Sequence, residues 1–128
     1  MKAYLVDTNI FLRFILQDNK KFAQVAKKYF LKAKEGKVKL IFIPEVILEI
    51  NYVLRKVYQL SRKEVAKHLS TLVKTPYFDI RNRDILIKAL KIYSRINLDL
   101  ADIILYVSAK KEGAHLLSFD KDFKKIPK

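Results

Sequence analysis

The chain has 128 residues, 51% of them hydrophobic, which is enough for one core and too few for two, so a single domain over residues 1–128 is expected. With 27 Lys and Arg against 13 Asp and Glu it carries a formal charge of +14, beyond what solubility requires and suited to a polyanionic partner. The absence of cysteine excludes disulfides, thiolate-bound zinc and thiol nucleophiles, and the lack of a long apolar run or signal-like N-terminus excludes a membrane span and points to the cytosol.

In chain order, Tyr4–Val6 reads as a short strand and Ile10–Leu16 as a short helix. Asn19 then caps a basic amphipathic helix through Lys34, which Gly36 terminates. Eight lysines between Lys20 and Lys39, with Glu35 the single acid among them, mark this stretch as a surface for phosphates or for solvent. Leu40–Ile43 reads as a buried strand, and Pro44 suits the first turn of the helix that carries Glu49. Ser61-Arg62-Lys63-Glu64 has the capping-box pattern that opens another helix. Tyr77–Ile80 reads as a third strand, Asp84–Arg95 as a helix, a further helix begins near Leu100, and a fourth strand begins at His115. Apolar strands separated by helices predict an α/β fold, a short parallel sheet covered on both faces in three α/β/α layers.

Four acids stand out against this frame. Asp7 and Asp120 follow strand candidates, where ligands of parallel sheets bind. Glu49 interrupts the apolar series Val46, Ile50, Val53 and Val57, and Asp102 precedes Leu105, Tyr106 and Ala109 at helical spacing. Both helices start near the same sheet rim. Buried carboxylates in one pocket oppose each other's ionisation unless a cation joins them, so a divalent metal is the economical explanation. An all-carboxylate set suits Mg²⁺ or Mn²⁺. Thr8, Asn9 and Ser118 are placed to hydrogen-bond and orient such carboxylates, although Asn9 also suits a helix cap. Asp99 is equally suited to capping the helix of Asp102 and to supporting its carboxylate. Asp122 reads as a surface residue. Arg13, one turn past Asn9, is a candidate for a substrate phosphate, a dimer partner or solvent.

Asp7-Thr8-Asn9, Leu48-Glu49-Ile50, Asp99-Leu100-Ala101-Asp102 and Ser118-Phe119-Asp120-Lys121-Asp122-Phe123, together with Arg13, resemble the successive motifs of a PIN domain, and most of all the VapC-type toxins of prokaryotic toxin–antitoxin pairs. The resemblance runs from residue 3 to about residue 125. It implies a sheet of four to five strands and a metal-dependent endoribonuclease of the prokaryotic cytoplasm. Asp7, Glu49, Asp102 and Asp120 would hold the Mg²⁺ or Mn²⁺ that activates a water against an RNA phosphodiester. It also implies a homodimer and a VapB-like antitoxin partner. The sequence departs from the pattern after Asp120, where family members often add a short strand and Ile126-Pro127 stands here. Two other classes remain: a PIN-like or receiver-like domain that binds metal or a partner without cleaving, and a basic nucleic-acid-binding module whose acids are caps.

Overall fold

The computed structural model describes residues 1–127. Its elements run β1 (Lys2–Leu5), α1 (Thr8–Leu16), α2 (Lys20–Lys34), β2 (Val38–Phe42), α3 (Pro44–Lys56), α4 (Arg62–Lys74), β3 (Asp79–Ile80), α5 (Arg83–Tyr93) and α6 (Leu100–Lys111), then a 3-10 turn over Lys121–Lys125. The strands pair in parallel in the order β1-β2-β3, with Tyr4 opposite Leu40 and Phe42 opposite Ile80. Central β2 buries Leu40 and Phe42, and α3 and α4 bury Ile47, Ile50, Leu54, Leu69 and Leu72 in the same core. Each of these side chains contributes about 1.5–3 kcal/mol by leaving water.

Local chemistry starts and stops the helices. Asn19 Oδ1 accepts from the Phe22 amide at 3.0 Å, and Ser61 and Glu64 close the reciprocal capping box at 3.1 and 3.0 Å. Helix α2 ends at Gly36, whose positive φ of 75° lets the Lys37 amide reach Lys32 O at 2.9 Å and its own amide reach Ala33 O at 3.0 Å. Gly113 ends α6 in the same way, with Ala114 N to Ala109 O at 2.9 Å.

Helices α5 and α6 pack closely, and one side chain of α4 locks the turn between them. The Arg62 guanidinium stacks 3.7 Å from the Tyr93 ring centroid and donates to Tyr93 O at 3.1 Å, Ile96 O at 2.7 Å and Leu98 O at 2.5 Å. Tyr93 O and Leu98 O thereby acquire a partner, and Ile96 O, which also accepts from the Leu98 amide at 2.9 Å, gains a second. Burial lowers the Arg62 pKa, and neighbouring Arg55 pushes the same way against the attraction of Tyr93 and Asp99.

The sheet has three strands among the described residues, not four or five. His115–Ser118 is no strand, because a strand exists only through the ladder it joins. No backbone hydrogen bond ties His115–Phe119 to another element among the described residues, and Leu117 and Phe119 are fully exposed. The outer edge of β1 is unpaired among the described residues, and Leu5 there is 68% exposed. After Asp120 the chain forms the 3-10 turn, and Ile126 returns to the core. No helix among the described residues is long and apolar enough to cross a membrane.

Candidate active site

Asp7 lies just past β1, where the Val6 amide still reaches Ile41 O at 3.0 Å. It is the N-cap of α1, and its Oδ1 accepts from the Thr8 amide at 2.9 Å. Glu49 stands in the second turn of α3, which Pro44 opens directly after β2. Parallel neighbours β1 and β2 therefore send Asp7 and Glu49 off the same end of the sheet. Asp99 is the N-cap residue of α6 by backbone, yet its carboxylate makes no cap bond, and Asp102 lies in that helix's first turn. Asp120 heads the terminal 3-10 turn, its Oδ1 accepting from the Asp122 amide at 2.8 Å. Ser118 Oγ accepts from the Asp120 backbone amide at 3.0 Å, so it positions that residue through the main chain and not through the carboxylate.

Burial departs from expectation. Asp7, Glu49, Asp99 and Asp120 are exposed and Asp102 is half-buried. Glu49 misses the buried stripe of α3, which runs through Ile47, Ile50 and Leu54; it shares its side of the helix with Tyr52, 61% exposed, and Val57 beyond the helix is 65% exposed. Of the series Val46, Ile50, Val53 and Val57 that Glu49 interrupts, Ile50 alone is buried, Val46 and Val53 are half-buried and Val57 is exposed, which is why the spacing misled.

Electrostatics draws part of the set together. The Asp102 carboxyl is raised above its ordinary pKa by burial first, then by the like charges of Asp99, Asp120 and Asp122. Asp122, read from the sequence as surface, therefore acts on Asp102; the Asp120-x-Asp122 spacing was the signal available for it. Arg62 is the other residue the sequence did not reveal, since nothing local announces the carbonyls it holds. As the side chains lie, no three acids or histidines among the described residues approach as closely as the ligands of one metal ion must.

The distribution of ion pairs is the more telling observation. Asp18, Glu35, Asp79, Asp84 and Asp122 each hold a Lys or Arg within 4.0 Å, and Glu64 is spent on its capping box. Asp7, Glu45, Glu49, Asp99, Asp102, Glu112 and Asp120 hold none among the described residues, in a chain with 27 Lys and Arg. Next to Asp7, Thr8 is 2% exposed and its hydroxyl has no hydrogen-bond partner. An orphaned buried hydroxyl beside unpaired carboxylates is an all-oxygen donor set, and it fits a hard divalent cation with its waters.

Asn9 is exposed at the start of α1. Arg13 lies towards the other end of that helix, donating to Asp18 Oδ2 at 2.6 Å and to Tyr58 OH at 3.5 Å. The Tyr58 hydroxyl, with Asp18 beside it, raises the Arg13 pKa against a partial cost of burial.

A family model described as PIN domain matches residues 4–128. Over 123 residues, 95% of this chain and 90% of the relative, the sequence is 28% identical to a protein named VapC ribonuclease from Aquifex aeolicus (strain VF5).

Proposed function

The chain belongs to the PIN-domain family, and from that premise we propose that it is a VapC-like endoribonuclease using Mg²⁺ or Mn²⁺ held by Asp7, Glu49, Asp102 and Asp120. The observation that carries this reading is the set of carboxylates left without cationic partners in a chain of net charge +14. Exposed Glu45 and Glu112 are unpaired as well; what sets Asp102 apart is that it holds its proton more tightly, first through partial burial and then through the like charges of Asp99, Asp120 and Asp122. The comparison with the Aquifex VapC ribonuclease supports the reaction class, and the basic surface supports RNA as the polyanion.

A divalent cation, when bound, polarises phosphoryl oxygens and makes water a nucleophile near neutral pH. The protein's own part is to hold and orient. Asp102 and Asp120 supply charge from two sides of one neighbourhood, and Asp7 and Glu49 supply it from adjacent strand ends. Gathering all four asks side chains to swing in from exposed positions, which costs little because they have no ion pairs to break. Asp7 Oδ2 stays available while Oδ1 caps α1. Thr8 Oγ1 and Asp99 support the set by hydrogen bond and charge, and Ser118 fixes the Asp120 backbone. Arg13 reaches a substrate phosphate only by releasing Asp18 and Tyr58, so its first role is to stitch α1 to the end of α3. A VapB-like antitoxin and a second copy of the chain complete this reading in the cytoplasm.

A domain that binds without cleaving is the second reading, favoured by the capping bonds of Asp7 and Asp120. Incubating the protein with a mixed RNA pool and Mg²⁺, beside Asp7→Asn, separates the two. Cleavage that the variant abolishes, with its melting temperature kept, supports the nuclease; RNA left intact by both proteins overturns it.

A further inference from the structure

Between α5 and α6 lies a cavity of about 540 Å³ whose composition fits neither the RNA nor a second copy of the chain. Its floor is apolar, formed by Ile92, Ile96, Tyr106, Val107 and the returning Ile126. Its rim is cationic: Lys88 and Lys91 on α5, Arg95 in the turn just past it, and Lys110 on α6, whose ammonium stands 5.4 Å from the Tyr106 ring centroid. None of these four cations has an acidic partner among the described residues, whereas Lys111 beside them is spent on Asp84 at 2.7 Å.

We infer that this groove receives an acidic amphipathic helix of a protein partner, its apolar stripe on the floor and its carboxylates against the rim. The charge pattern selects the occupant. RNA would satisfy the cations but gain nothing from isoleucine, and base stacking would find one tyrosine. A second copy would bring the same cationic rim and a net +14 into contact with this one. An acidic helix satisfies both features in the helix-in-groove mode of recognition. The span from Lys88 to the end of α5 at Tyr93 is about 7.5 Å of helix, with Arg95 in the turn beyond, so more than one turn of a partner fits along it. Asp102 lies one turn before Tyr106 on α6, so an occupant rests on the helix that presents this acid. The inference concerns the groove alone and stands whether or not the chain cleaves RNA.

The probe is a fluorescent peptide of about 14 residues, near the shortest length at which an isolated helix holds. Its leucines repeat at i, i+3, i+4 and i+7, and all other positions are Glu, Gln or Lys in three parallel versions. The Glu peptide is expected to bind the full chain roughly tenfold or more tighter than the Gln peptide, and the Lys peptide not to bind. Lys88→Glu with Arg95→Glu should remove that preference, and Tyr106→Ala should weaken the Glu and Gln peptides alike. Lys21→Glu with Lys28→Glu changes the net charge equally, at exposed positions of α2, and should leave binding intact. Equal binding of the Glu and Gln peptides overturns the inference, as does equal loss in the α2 variant, which would reduce the effect to net charge. Two further outcomes overturn it by reassigning the surface. In one, the Lys88/Arg95 variant loses affinity for a single-stranded RNA oligomer; in the other, wild type self-associates and that variant does not.

Discussion

Asp102 and Asp120 share an electrostatic neighbourhood but reach it by opposite routes. The turn before Asp102 is held by Arg62 through three carbonyls and a stacked Tyr93, while the segment before Asp120 has no backbone bond to another element among the described residues. One acid is placed by the fold and the other is tethered beside it. On the proposed reading the first acid supplies a rigid wall, and a bound cation would recruit the others, whose side chains hold no ion pair.

Removing the clamp should break the comparison most severely. Arg62→Met leaves Tyr93 O and Leu98 O at the α5–α6 turn without the donor they have, while Ile96 O keeps the Leu98 amide, and it should cost about 2–4 kcal/mol in urea unfolding. A loss below about 1 kcal/mol would mean that water replaces the guanidinium readily. Thr8→Val tests the orphaned hydroxyl beside Asp7. Without metal it should stabilise the fold by up to about 1 kcal/mol, since a buried hydroxyl lacking a partner is removed. With Mg²⁺ present the gain should shrink, because the hydroxyl then has work to do; destabilisation in chelator would show a partner already present.

Asp79 offers a smaller, pH-dependent contrast. Burial works to raise its pKa, but hydrogen bonds and charge from Lys39 and Arg81 outweigh it, so the folded carboxyl lies below the ordinary value. A depressed acid stabilises above its unfolded pKa and loses that contribution as pH falls through the folded one. Asp79→Asn should therefore cost under about 1 kcal/mol at neutral pH, and its stability should converge with wild type in acid. A gap that persists below the folded pKa would make the effect one of packing.

The smallest effect belongs to the tethered segment. Leu117→Ser and Phe119→Ser should each change stability by less than about 0.5 kcal/mol, because both side chains are fully exposed. The amides of His115–Phe119 should also exchange nearly unprotected, while that of Ile103 is slow. A larger loss, or protected amides, would show the segment paired with the open edge of β1.

The same contrast explains what could be read from the sequence. Caps and stops are local: Asn19, the Ser61–Glu64 box, Pro44 and Gly36 carry their chemistry within a few residues, and each acts where expected. The parallel α/β order followed from the apolar runs of β1 and β2, and Asp102 at the head of α6 followed from spacing. Features needing a distant partner were hidden. His115–Ser118 has strand-like residues, but no pattern states that β1 leaves its edge unpaired. Glu49 sits among apolar neighbours, yet which side of α3 is covered depends on α1, α4 and α6. Whether Asp99 caps its helix depended on a side-chain rotation that sequence does not specify.

Divalent-metal binding by these carboxylates is tested most directly by thermal melts of wild type and Asp102→Asn, with chelator and with millimolar Mg²⁺ or Mn²⁺. In the metal-free protein the ionised Asp102 is a cost, since its folded pKa is raised, so stability should fall as pH rises through that pKa. At neutral pH in chelator, Asp102→Asn should therefore melt above wild type. Metal should raise the wild-type midpoint by several degrees, the shift expected for a ligand at about 100 times its Kd, and should leave the variant nearly unmoved. A wild-type midpoint indifferent to millimolar metal, or an increment that Asp102→Asn keeps in full, would contradict a shared metal site.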